Sequence, residues 1–459
     1  MRKIPLLLLS IFALGYWVQA QSSLSPAITG WLQNTTQTGS YYMSGNSTTL
    51  PNNILVNCQK VEYSNDFVYV TATGIPSYPT GPFQDGNPSQ ASDQSVLLQI
   101  PLNPVENTGT PIETNAGNIG VFINGVALFD YRDGVAWDPT TNALCGGPGN
   151  PTCPGGPMAA QDWNRDAVPA EAPGFDCSKG HPAMGNYHHH QNPSAFKLDL
   201  VVVSSICNLY DADGLYTIDS TQHSPLIGFA YDGFPIYGAY AYQDTNGTGN
   251  IVRMKSGYSL RNITVRTEWA DGTNVDDGPN VSTTYPIGYF REDYEFIANP
   301  ATDYLDEHNG RYCVTPEYPN GTYAYFATVD ENWNSSYPYV VGPEFYGVAS
   351  NRSVTSVTEP TTIYTGTPTS LDAEDLTDHL TIFPNPSSDL IAIQFHGIAK
   401  EDLKVELFDL TGKLIRSNEI KSGSTISYFD VQTVYQGTYL VKVSGKNTQF
   451  TQKIEILRD

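Results

Sequence analysis

Three consecutive histidines, His188, His189 and His190, sit in the stretch "GNYHHHQNP" of a 459-residue chain that holds only eight histidines. A neutral imidazole nitrogen is a good ligand for zinc or copper, at about 2.0–2.1 Å in the zinc case. The aromatic residue before the run predicts a strand, in which side chains alternate between faces. His188 and His190 then project the same way from backbones about 6.5–7 Å apart, close enough for both rings to reach one ion. His189 turns to the opposite face with Tyr187.

Candidates to complete such a site lie in three places. His181 precedes the run in "DCSKGHPAMGNYHHH". His223 stands before Ser-Pro, where the chain is extended, and Asp232 lies in "AYDGFP", whose Asp-Gly pair between apolar runs predicts a hairpin with a type I′ turn. A third block, "LDEHNGRYCVTPEYPNGTYAYF", crowds Asp306, Glu307, His308, Arg311 and Glu317 together. A carboxylate there could complete a set of two histidines and one acid, serve as general base toward a metal-bound water (Asp306 or Glu307), or pair with Arg311. "EYPNGTYAY" reads as strand, Asn-Gly turn and strand. The chain contains no G-x-S-x-G elbow, no Walker A loop, no G-x-G-x-x-G and no H-E-x-x-H. "DADG" (Asp211 to Gly214) and "DTNGTGN" (Asp244 to Asn250) resemble Ca²⁺ loops but lack the later glutamate of an EF-hand, which makes them acid-rich turns.

The frame that must position these groups is an exported one. Arg2 and Lys3 precede the apolar run "IPLLLLSIFALGYWV", which ends in "VQA" with small residues at Val18 and Ala20, the layout of a cleavable signal over residues 1–20. No comparable run follows, so no transmembrane segment is expected in the mature chain. The formal charge is −24, from 23 basic and 47 acidic residues, which argues against a nucleic-acid partner. Residues 380–459 carry nine of each sign, so the acidic excess lies upstream of them, and the step marks a domain boundary. All six cysteines also lie upstream. Their even number in an exported chain favours disulfides, and "CGGPGNPTC" is a Gly/Pro loop that brings Cys145 back to Cys153.

Residues 353–379, rich in Thr, Ser and Pro and acidic, read as a linker between a large domain over 21–352 and a small C-terminal unit. Both are predicted to be mainly β. The large one is loop-rich, with runs such as "DFVYVTATGI", "NIGVFINGVALFDY" and "FKLDLVVVSS". The small one alternates apolar and polar residues through "LIAIQFH", "KVELFDL", "STISYFDV" and "GTYLVKVSG", as an Ig-like β-sandwich does.

Two resemblances follow from these motifs. "FPNPSSDLIAIQF", "LFDLTGKLI", "GTYLVKV" and "QKIEIL" resemble the C-terminal sorting domain of the type IX secretion system of Bacteroidetes, covering nearly all of 380–459. The resemblance implies that machinery as partner and delivery to the cell surface or beyond. The three blocks around the histidines, with "MKSGYSLR", "GYFREDYEF" and "YPYVVGPEFYG", resemble the YHYH domain family over most of 115–347. That resemblance implies a secreted protein with a metal-binding His-X-His core. The eponymous Tyr-His-Tyr-His is Tyr187-His188-His189-His190 here, which implies a replaceable middle position and demotes His189 as a ligand. Where some members carry histidine in "GTYHY", this chain has Ala324. Three functions remain open: a binder of copper or zinc, a metal-dependent hydrolase or copper oxidoreductase, and a polysaccharide- or protein-binding module whose histidines are incidental.

Overall fold

A computed structural model describes residues 24–43, 48–83, 90–147, 149–156, 161–176, 178–193, 220–350, 352–365, 374–375, 380–395, 399, 402–409, 413–445 and 448–458. The signal over 1–20, the run "FKLDLVVVSS", Cys177, Cys207, "DADG" and most of 366–379 lie outside the described residues.

The chain is mainly β, as its alternating and β-branched runs require. The large domain is organised by a mixed eight-stranded sheet. Its strands are β1 (Asn118–Phe122), β2 (Ala127–Phe129), β3 (Gly180–Ala183), β4 (Asn186–His189), β5 (Leu226–Ala230), β6 (Pro235–Tyr237), β7 (Gly310–Cys313) and β8 (Thr322–Phe326), in the spatial order β3-β4-β2-β1-β5-β6-β8-β7. Pairs β4/β2 and β6/β8 are parallel and the rest antiparallel. All five residues of β5 are buried, the pattern of a strand covered on both faces. Its Ile227 and Phe229 join Phe122, Leu128, Ile236, Tyr325 and Phe326 in one core with Trp31 and the strands Cys58–Tyr63 and Phe67–Ala72.

Those last two strands belong to a four-stranded sheet with Val96–Pro101 and Thr362–Ile363. The sheet therefore claims part of the stretch read as linker. Thr362 and Ile363 pair with Tyr63 and Glu62, Ser353 bridges to Leu98, and the Tyr69 hydroxyl donates to Glu359 at 2.6 Å. An apolar period was absent there because an edge strand needs only its backbone groups to pair.

The Asp-Gly hairpin between β5 and β6 forms, but not with a type I′ turn. Of Tyr231, Asp232 and Gly233 only Gly233 has positive φ, +95°, and its N–H donates to Ala230. That is a type I turn closed by a left-handed glycine, the three-residue alternative. Similarly, the strand before Asn320-Gly321 is Gly310–Cys313, with a longer loop intervening. "DTNGTGN" is a turn between the paired strands Tyr240–Tyr242 and Ile251–Arg253, Thr248 donating to Asp244 at 3.0 Å.

The C-terminal unit has a core of its own, in which Ile391, Ile393, Val405, Leu407, Val441, Val443, Ile454 and Ile456 are buried. They come from a five-stranded and a three-stranded sheet, the alternation along Gly437–Ser444 sending every second residue inward. No helix among the described residues is long and apolar enough to cross a membrane.

Candidate metal centre

A tight hairpin delivers the first two imidazoles. β3 and β4 are joined by Met184 and Gly185, both with positive φ (+50° and +88°), the backbone of a type I′ turn. Glycine suits position 185, since its φ is left-handed and a Cβ there would come 2.2 Å from Ser92 Oγ and displace it. The register sets His181 directly opposite His188, so both rings leave the same face, 4.6 Å apart between centroids. His190, two residues beyond His188, returns to that face with its ring 4.8 Å from His188. The fourth group arrives from a short helix, Ala167–Glu171, whose first turn is capped by Asp166 accepting from the Val168 N–H at 3.0 Å. Its last residue, Glu171, places Oε2 at 3.1 Å from both His181 Nε2 and His190 Nε2.

The hydrogen positions on these rings follow from their partners. His188 Nδ1 lies 2.9 Å from the Asn186 carbonyl and His190 Nδ1 lies 2.5 Å from the Asp130 carbonyl. A carbonyl only accepts, so both Nδ1 atoms carry hydrogen, and in the neutral rings both Nε2 atoms present lone pairs. Yet these two Nε2 atoms are 3.1 Å apart. Two lone pairs at that distance repel unless a metal ion, or a proton on one ring, stands between them. His181 Nδ1, His181 Nε2 and Glu171 Oε2 are also buried without a hydrogen bond of acceptable geometry, although the latter two atoms are close together.

The set fits a metal. His181, His188 and His190 can each offer one nitrogen with all three within 4.8 Å of one another. The two Nε2 atoms 3.1 Å apart could both serve as ligands of one zinc or copper ion, for which imidazole nitrogens are suitable donors. The backbone carbonyls on Asn186 and Asp130 fix ring orientation, as outer partners of metal-bound histidines do. Phe129 stacks on His188 at 3.7 Å and Phe175 meets His181 edge-on at 5.0 Å, so the rings are walled by apolar surface.

Burial and charge tune the groups in opposite directions. Burial, with the neighbouring imidazoles adding to it, holds His188 well below the ordinary histidine range. Burial would lower His190 too, but the Glu171 carboxylate outweighs it and leaves this ring raised. Burial opposes ionisation of Glu171, and the two imidazoles overcome that and pull it below the usual carboxylate range. Close by, burial lifts Asp166 to about 7 against the hydrogen bond from the Tyr339 hydroxyl, and lifts Asp133 to about 6 against its ion pair with Arg165.

His189 is occupied elsewhere. Fully buried on the opposite face with Tyr187, it donates from Nδ1 to the Lys179 carbonyl at 3.0 Å and accepts at Nε2 from Tyr78 at 2.7 Å. The other candidates also lie outside the cluster. His223 packs against Tyr237 and Tyr242, and His308 lies 3.1 Å from the Glu344 carbonyl. Asp232 accepts from Tyr325 at 2.5 Å and from the Gly347 N–H at 2.9 Å, and from the Phe234 N–H at 3.1 Å within its own turn. Asp306 accepts from Tyr323 and from its own turn, while Glu307 is exposed. Arg311 pairs with neither acid; it clamps the carbonyls of Tyr242, Gln243 and Thr302. Glu171 was not anticipated. Nothing about a glutamate in "AVPAEAPGF" announces a ligand, because it meets the histidines only through tertiary packing.

The cysteines divide. Cys145 and Cys153 are bonded. Cys58 and Cys313 are separate buried thiols, contrary to full pairing of the six, and burial raises both above the usual thiol range.

A secretion system C-terminal sorting domain matches residues 381–457, which makes this an exported protein, secreted or attached at the outer surface. No curated protein is significantly similar to the chain. The YHYH protein profile matches residues 97–339, just over half of the length, with Glu171, His181, His188 and His190 inside it. The chain belongs to the YHYH protein family.

Proposed function

We propose that this exported protein binds a zinc or copper ion through His181, His188, His190 and Glu171. The observation that carries the reading is the convergence of three imidazoles, with ligand nitrogens within 4.8 Å of one another and two Nε2 atoms 3.1 Å apart that are lone pairs in the neutral rings, their Nδ1 hydrogens being committed to backbone carbonyls. Imidazole and carboxylate donors suit zinc or copper, and four protein ligands are the number typical of a site that holds its ion rather than one that turns over water. The ion would supply positive charge among groups that otherwise repel. The residues do the rest: Asn186 and Asp130 orient two rings, Phe129 and Phe175 limit access of water, and Glu171 contributes the balancing negative charge.

The test is calorimetric titration of the metal-stripped mature chain with zinc and with copper. His188→Ala and His190→Ala should each weaken binding by more than about a hundredfold, beyond the 10- to 100-fold typical of outer-shell changes. Glu171→Gln, which keeps the shape, should weaken it less. Binding by both alanine variants as tight as wild type would refute the assignment.

A further inference from the structure

A cavity of about 250 Å³ opens between the eight-stranded sheet and the segments that carry Gln94, Ser95 and Ser353. Asn118, Asn186 and Tyr231 also line it. They form a row: Tyr231 meets the Asn118 amide, and Asn186 Nδ2 lies 3.5 Å from Asn118 Oδ1. Among the described residues no Asp, Glu, Lys, Arg or His lines the cavity, in a chain of 23 basic and 47 acidic residues.

The cavity and the imidazoles share one face of the sheet. Asn186 and His188 are two residues apart on β4 and therefore project together. Asn118 pairs with Phe129 across β1 and β2, and Phe129 is the ring stacked on His188.

We infer that this cavity is a binding site for one neutral sugar ring of a saccharide. An uncharged lining gives no purchase on an ion, and the amides and hydroxyls, set among aliphatic residues such as Val96, Leu98 and Val354, disfavour a lipid chain, whose burial would strip the polar groups of hydrogen bonds, while suiting a ring that has both C–H faces and hydroxyls. Each primary amide offers two donor hydrogens and an acceptor oxygen, the complement of vicinal hydroxyls that both donate and accept. The volume is just below the roughly 300 Å³ at which drug-sized pockets begin, room for one ring rather than for a folded partner.

The experiment titrates glucose, galactose and N-acetylglucosamine into the full mature chain by calorimetry, with and without chelator, so that sugar binding is read independently of any metal. N-acetylglycinamide serves as an amide probe. At least one sugar should bind saturably, and Asn118→Leu and Asn186→Leu should each weaken it about tenfold, the effect of losing one hydrogen bond of about 1.4 kcal/mol. Asn118→Gln should retain part of the affinity, and unchanged melting temperatures should show that the variants are folded. Absence of saturable sugar binding up to the solubility limit, binding unaffected by both leucine variants, or binding of the amide probe in place of the sugars would each overturn the inference.

Discussion

Replacing His189 with leucine separates the two jobs that neighbouring histidines perform. The imidazole is fully buried, and the substitution removes its bonds to the Lys179 carbonyl and the Tyr78 hydroxyl. Each buried hydrogen bond lost in this way costs about 1–3 kcal/mol, so together about 2–6 kcal/mol. At about 2–4 °C per kcal/mol for a domain of 150–250 residues, thermal melting should fall by at least about 4 °C. The ring also carries a pH signature. Burial lowers His189 to about 3, outweighing the Lys179 carbonyl, so the unfolded chain takes up a proton that the folded one refuses. Its contribution to stability is therefore complete above the unfolded pKa of about 6.5 and is lost as pH falls from there toward the folded value. His189→Leu should flatten that part of the stability profile. Melting and denaturant titration of metal-stripped protein between pH 5 and pH 8 measure both effects, and metal analysis of the variant after reloading with zinc should find wild-type loading. The reasoning fails if the variant melts with the wild type, or if it loses metal as His188→Leu does.

Metal affinity should fall as pH is lowered, and the loss should begin above the ordinary histidine range, because burial at His190 is outweighed by Glu171 and the proton competes there first; zinc titrations at stepped pH read this, and retention unchanged from pH 8 to pH 5 would contradict it. In non-reduced, denatured protein an alkylating reagent should label Cys58 and Cys313 and spare Cys145 and Cys153, and peptide mapping that finds the first two in disulfides would overturn the assignment. The Cys145–Cys153 loop, with a separation of eight, should contribute about 2–3 kcal/mol that reduction removes, read as a lower melting temperature of the large domain. Deleting residues 380–459 should leave a folded domain in the periplasm. A chain ended at 352 instead of 365 should also melt lower and tend to associate, because the Cys58–Tyr63 edge loses its cover.

What could be read from the sequence was whatever depends on local period. Alternation along Leu390–Phe395 and Gly437–Ser444 gave the C-terminal strands, and the same period placed His188 and His190 on one face with His189 on the other. What could not be read depends on tertiary partners. His181 was one candidate among several until the hairpin register set it opposite His188. Glu171 meets the rings from a helix on a different segment, and the edge strand Thr362–Ile363 pairs through backbone groups that every residue carries. The dense block around Asp306 attracted attention by its charge. Asp306 serves its own turn, Glu317 accepts from the Tyr237 hydroxyl, Glu307 is exposed, and Arg311 clamps carbonyls.

The central claim is that one ion sits among His181, His188, His190 and Glu171, and elemental analysis of the purified mature protein tests it most directly. After stripping, incubation with zinc or copper and removal of the free ion, the account predicts about one metal per chain, absent from His188→Ala. A wild-type protein that remains metal-free after both incubations would contradict it.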